Sequence, residues 1–149
     1  MTNDHVFQQN DYYCGPAVAA MVLKKFGIEA TQESIAKELE TGAAVGTSAR
    51  ELQDFFVKRG FIVASKNDAE WEDIIKALKI GAVIVGYIEP TGDPHYALIK
   101  DVEERKIILS DPYHGDNFVL DKEEFLKCWH DNEHNQYGTQ MFMSVRKDQ

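Results

Sequence analysis

The chain has 149 residues, 44% of them hydrophobic, which is enough for one domain spanning residues 1–149 with a sizeable core and no linker. Its 25 acidic residues against 16 basic ones leave a formal charge of −9, and the absence of any basic run or basic amphipathic stripe argues against nucleic-acid and anionic-membrane partners. No apolar run approaches a membrane span, and Met1-Thr2-Asn3-Asp4-His5 has no basic segment followed by an apolar one, so the chain reads as soluble and cytoplasmic; a secreted chain with its signal peptide removed would read the same.

In chain order, the first feature is Tyr12-Tyr13-Cys14-Gly15-Pro16, where an irregular polar segment turns into a helix. From Ala17, the apolar Val18, Met21 and Val22 precede Lys24-Lys25 and Gly27, a pattern that predicts a helix with a glycine stop. Pro16 has no backbone N–H and suits a first helical turn, so Cys14 falls at or just before the helix N-terminus. Unpaired N–H groups and the positive dipole end there favour a thiolate. Thr31 predicts an N-cap for a helix from Gln32 to Leu39, and the segment Gly42 to Gly46 reads as a small-residue loop. Ser48 with Glu51 predicts a capping box, ahead of a helix striped by Leu52, Phe55 and Phe56 that ends near Gly60. Phe61 to Ser65 reads as a strand. Asn67 with Glu70 predicts the start of a helix carrying Trp71, Ile74, Ile75 and Leu78 before Gly81, and Ala82 to Ile88 reads as a buried strand. After the turn-rich Glu89 to Pro94, strands are predicted at His95 to Asp101, Lys106 to Ser110 and Asn117 to Leu120, with a turn at Gly115-Asp116. Asp121 and Glu124 cap a helix carrying Phe125, Leu126 and Trp129, and Gln140 to Val145 supplies a last strand. Helices first and strands later point to α+β rather than an alternating α/β sheet. Trp71, Phe55 and Phe56 are core by spacing, and Cys128 beside Trp129 reads as core or semi-buried packing. Both cysteines read as thiols, since a domain of this size needs no disulfide.

A cysteine nucleophile needs a base that takes or holds its proton, and an acid or amide that orients the base. Among five histidines, His95 has the most informative setting, at a strand start directly after a loop. With Glu103 at the centre of the following turn, Ile99 would face Ile107, Ala97 would face Leu109, and His95 would face Asp111, within reach of an imidazole–carboxylate hydrogen bond. A two-residue turn at Glu103-Glu104 would instead set Tyr96 against Asp111 and put the carboxylate on the wrong face. Gln8 and Gln9, six and five residues ahead of Cys14, offer side-chain amides for an oxyanion beside the Cys14 backbone N–H.

Gln8-x5-Cys14-Gly15-Pro16-Ala17, then His95-Tyr96-Ala97-Leu98, then Asp111-Pro112 resemble the C39-like branch of papain-like cysteine peptidases, which includes bacteriocin-processing double-glycine peptidases. The resemblance covers nearly the whole chain, with Cys before His before Asp and sixteen residues separating the last two. It implies a papain-like fold in which an N-terminal helical half carrying Cys packs on a C-terminal antiparallel sheet carrying His and Asp. It implies Cys14 as nucleophile, His95 as general base and acid, Asp111 as orienting acid and Gln8 as oxyanion donor, with Gln9 as the fallback. The activity implied is cleavage of a peptide or amide bond through a thioester acyl-enzyme, with no metal or organic cofactor. A different class is suggested by His130-Asp131-Asn132-Glu133-His134, which matches the H-x-x-E-H zinc-peptidase pattern and would need a continuous helix and a third ligand such as His114. A third reading keeps the fold as a catalytically silent peptide-binding module.

Overall fold

The computed structural model describes residues 5–10, 12–41, 47–88, 94–129 and 140–147. Three helices come first, α1 (Cys14–Lys25), α2 (Gln32–Leu39) and α3 (Ala49–Lys58). They are followed by β1 (Phe61–Lys66), α4 (Trp71–Leu78), β2 (Ala82–Ile88), β3 (Pro94–Glu103), β4 (Lys106–Asp111), β5 (Gly115–Asp121), α5 (Lys122–Cys128) and β6 (Phe142–Lys147). The strands form one antiparallel sheet in the order β1-β6-β2-β3-β4-β5. This is the α+β architecture that the element order predicts, with the helical half packed on the sheet.

The helix starts follow local chemistry. Thr31 caps α2 by accepting from the Ser34 N–H at 3.1 Å, and Ser48 and Glu51 close the predicted capping box on α3. At α4 the expected start is corrected: Asn67 lies outside the helix, Glu70 is the N-cap, and the Asp73 carboxylate accepts from the Glu70 N–H at 2.8 Å. The apolar Trp71 leads the helix into the core, which draws the first turn past the Asn67 signal.

The sheet is covered on both sides, so β2 is buried without interruption from Ala82 to Tyr87. On one face Ala82 and Ile84 join Tyr96, Leu98, Met143 and Val145 under α1, α2 and α3. On the other, Val83, Val85 and Tyr87 join Ala97, Ile99, Ile107 and Leu109 under α4 and α5. Val18, Met21, Val22 and Leu23 of α1 are fully buried in the first cluster. At roughly 1.5–3 kcal/mol for each large apolar side chain, this packing holds α1 firmly and fixes where its N-terminus points. Among the described residues no helix is long and apolar enough to cross a membrane.

The β3–β4 hairpin corrects the predicted register. The turn is Glu104-Arg105, so Glu103 pairs with Lys106, Val102 with Ile107 and Asp101 with Ile108. Continued unbroken, that register would put Asp111 opposite Leu98, on the wrong face for His95. A bulge at Lys100 shifts it by one residue, giving Ile99 with Leu109 and Leu98 with Ser110. That shifted register brings Asp111 to the face of His95, where its Oδ1 lies 2.7 Å from Nε2. Gly115 and Asp116, expected in a turn, instead open β5, with Gly115 at φ 114° and Asp111 paired to it.

Candidate active site

Cys14 is the first residue of α1, half-buried against the first core cluster. The N-cap residue, Tyr13, gives this helix no side-chain cap. Gly15 is required by close packing: a Cβ there would collide with the side chain of Thr47. Thr47 is itself fixed, its hydroxyl 2.7 Å from that of Thr41 and its carbonyl accepting from the Tyr96 hydroxyl at 3.0 Å.

His95, the second residue of β3, is buried between two acidic partners. Its Nε2 lies 2.7 Å from Asp111 Oδ1, which leaves Nδ1 uncommitted to the carboxylate, and Cys14 is close enough to act on the ring's charge. Burial pulls the imidazole down, but the hydrogen bonds and charges of Asp111 and Cys14 outweigh it and push His95 up to about 10.

Asp111 is wholly inaccessible at 0% exposure and completely engaged. Oδ1 accepts from His95 and from the backbone N–H groups of Tyr113 and His114, each at 2.9 Å, while Oδ2 accepts from the Tyr87 hydroxyl. Burial raises its carboxyl, but the hydrogen bond and charge of His95, together with the Tyr87 and His114 donors, carry it below the usual carboxylate range. Tyr87 was invisible to motif reading. It stands directly opposite His95 in the β2–β3 pairing, so the strand alignment is the signal that would have found it.

Gln8 lies on the irregular segment before α1, half-buried, while Gln9 is exposed. The Gln8 Nε2 donates to the Asn10 carbonyl at 2.7 Å, which leaves its second amide hydrogen uncommitted, and its Oε1 is buried with no partner. The Gln8 backbone N–H donates to the Pro112 carbonyl at 2.9 Å, tying this segment to the turn that follows Asp111. A second residue that motif reading missed is Gln32, buried at the start of α2, whose side-chain amide bonds the backbone on either side of Gln8.

Among the described residues no three His, Cys, Asp or Glu side chains gather to hold a metal ion. His130, Glu133 and His134 of the alternative zinc pattern lie outside the described residues. His114, the imagined third ligand, stacks on Phe118 with ring centroids 4.3 Å apart and planes at 13°. Cys128 ends α5, half-buried and packed against the second core cluster, as its sequence setting suggests.

Residues 2–133 match the model of the peptidase C39 family. The chain is 31% identical over 126 residues to the lactococcin-G-processing and transport ATP-binding protein LagD of Lactococcus lactis subsp. lactis; the match covers 83% of this chain and 17% of that protein. In fold it is similar to the peptidase domain of Streptococcus ComA, a bifunctional ABC transporter, with TM-score 0.78, 21% identity, and 98% of this chain and 100% of that one covered. A double-glycine-motif protease from an AMS/PCAT transporter, solved with its leader peptide, aligns with TM-score 0.74 and 18% identity over 97% of this chain and 91% of that one. These likenesses fit the papain-like arrangement of helical half and antiparallel sheet.

Proposed function

The chain belongs to the peptidase C39 family and is a cysteine peptidase; from that premise we propose that Cys14, His95, Asp111 and Gln8 are its catalytic groups and that residues 1–149 form one catalytic domain. The observation that carries this reading is the buried His95, bonded to Asp111 at 2.7 Å and close enough to Cys14 for the two to act on each other's charge. A buried histidine with two acidic partners is arranged to exist as an imidazolium facing sulfur, which is what thiol acyl transfer needs.

In the proposed cycle the Cys14 thiolate attacks the carbonyl carbon of a peptide bond. The oxyanion is held by the Cys14 backbone N–H and the second Nε2 hydrogen of Gln8. His95 protonates the leaving amine, and the amine departs to leave a thioester on Cys14. Neutral His95 then takes a proton from water, the hydroxide adds to the thioester, and collapse releases the acid and the thiolate. Asp111 keeps the ring in the one orientation that presents Nδ1 to sulfur. Gln8 is preferred to Gln9 because its amide is half-buried and anchored, whereas Gln9 is exposed.

The substrate class we propose is a peptide, with a leader peptide of the kind bound by the AMS/PCAT protease as the first candidate. The two free cysteines suit a reducing, cytoplasmic setting. The test is mass spectrometry of the chain incubated with leader peptides: cleavage products and a thioester adduct on Cys14 are expected, both lost in Cys14→Ala. Peptide binding with no cleavage under any condition would favour the silent binding module. Cleavage that survives Cys14→Ala but stops with a chelator would favour the zinc pattern instead.

A further inference from the structure

We propose that Gln32 is a positioning residue for acyl transfer, acting through Gln8; the inference rests on the reading of Gln8 as oxyanion donor. Gln32 is the first residue of α2 and only 6% exposed, although a glutamine at an exposed helix start would ordinarily be solvated. Its Nε2 donates to the Phe7 carbonyl at 2.6 Å, and its Oε1 accepts from the Gln9 N–H at 3.0 Å. One primary amide thus does what a neighbouring strand would do: it satisfies the acceptor before Gln8 and the donor after it.

Residues 5–10 contain no helix or strand, so nothing regular fixes the Gln8 backbone. Among the described residues, the contacts on Gln8 and its flanking peptide groups are the Gln32 pair, the Gln8 N–H on Pro112 and the Gln8 side chain on Asn10. Of these, Gln32 alone grips both peptide groups flanking Gln8, and it is held by a helix. A donor displaced by about 1 Å loses most of its worth to an oxyanion, so the clamp acts on rate through geometry without touching the reacting atoms. The competing account is that Gln32 merely anchors the N-terminal segment for stability.

Two probes of Cys14 separate these accounts. Acylation by p-nitrophenyl acetate passes through an oxyanion, whereas alkylation by iodoacetamide does not. In Gln32→Met, which keeps the length but loses both hydrogen bonds, the acylation rate constant should fall about tenfold while alkylation stays within about twofold. Gln32→Glu keeps the acceptor for Gln9 and loses the donor to Phe7; it should fall between Gln32→Met and the parent chain, and it carries the test if Gln32→Met melts below the assay temperature. Gln8→Ala should also slow acylation selectively, and adding Gln32→Met to it should cost nothing more. A full further loss in the Gln8→Ala background, or alkylation falling in step with acylation, overturns the Gln32 proposal and leaves Gln8 standing. Unchanged acylation in Gln8→Ala alone removes the Gln8 reading and the Gln32 route with it.

Discussion

The start of α1 and the end of α5 each hold one half-buried cysteine, and almost everything else about the two settings differs. Cys14 begins its helix, at the positive end of the dipole, close enough to act on the charge of a buried histidine whose Nε2 is on a buried carboxylate. Cys128 ends its helix, at the negative end, one turn after Glu124. Burial first and Glu124 second raise the Cys128 thiol above its ordinary range, with Lys127 pulling the other way. Similar exposure therefore sits in opposite electrostatic surroundings. What decides a cysteine's use is which end of a helix it occupies and which charges face it.

The largest expected effect tests that contrast directly. Near neutral pH, iodoacetamide should modify Cys14 about a hundredfold faster than Cys128, read by peptide mapping of the alkylated chain. His95→Ala should remove most of the difference by slowing Cys14 alone, while Cys128→Ser should leave the Cys14 rate where it was. Equal rates for the two thiols, indifferent to His95, would end the nucleophile reading.

A smaller effect appears in stability against pH. The folded pKa of His95 is raised from 6.5 to about 10, so its contribution is fully present below about 6.5 and is lost as pH rises toward 10. The folded pKa of Asp111 is lowered, so its contribution is present above its ordinary value of 3.8 and is lost as pH falls through the folded value. Thermal melts of the parent chain should therefore decline from about pH 6.5 to 10, and His95→Ala should lose most of that decline, keeping only the part near pH 9 that the raised Cys128 thiol supplies. Asp111→Asn should lose its own share of the acid-side decline instead, while the lowered carboxyls of Glu38, Asp73 and Asp116 keep the rest. Loss of both limbs in Cys128→Ser would place the titrating network at the wrong end of the molecule.

The sequence was most informative where one residue's chemistry acts locally. Thr31, Ser48 and Glu51 cap their helices as their types predict, and unbroken apolar character located β2 because both faces of the sheet are covered. The pairing of His95 with Asp111 was legible only in outline. The hairpin turn Glu104-Arg105 contains no glycine or asparagine to mark it, and the bulge falls on Lys100, which also carries no signal. The predicted register was three residues off at the turn, and the bulge returned one of them, so two errors of opposite sign kept both residues on one face. Tyr87 and Gln32 were illegible for a different reason: each acts across the fold, on Asp111 and on the backbone around Gln8, and no spacing in the chain records such contacts.

The smallest effect sharpens the comparison from the quiet side. If Cys128 is slow because of burial and the charge of Glu124, then removing that charge while keeping the side chain's shape should release part of its reactivity. Glu124→Gln should speed alkylation of Cys128 by about twofold at pH 8, since a charge near the surface is screened by solvent and salt. Cys14 should be unmoved, because its partners belong to α1, β3 and β4. The larger cause of the Cys128 shift is burial, so Glu124→Gln should close only a small part of the gap between the thiols. A Cys128 that became as reactive as Cys14 in Glu124→Gln would mean that one surface charge had separated them all along. The histidine and its carboxylate would then be unnecessary to explain the difference.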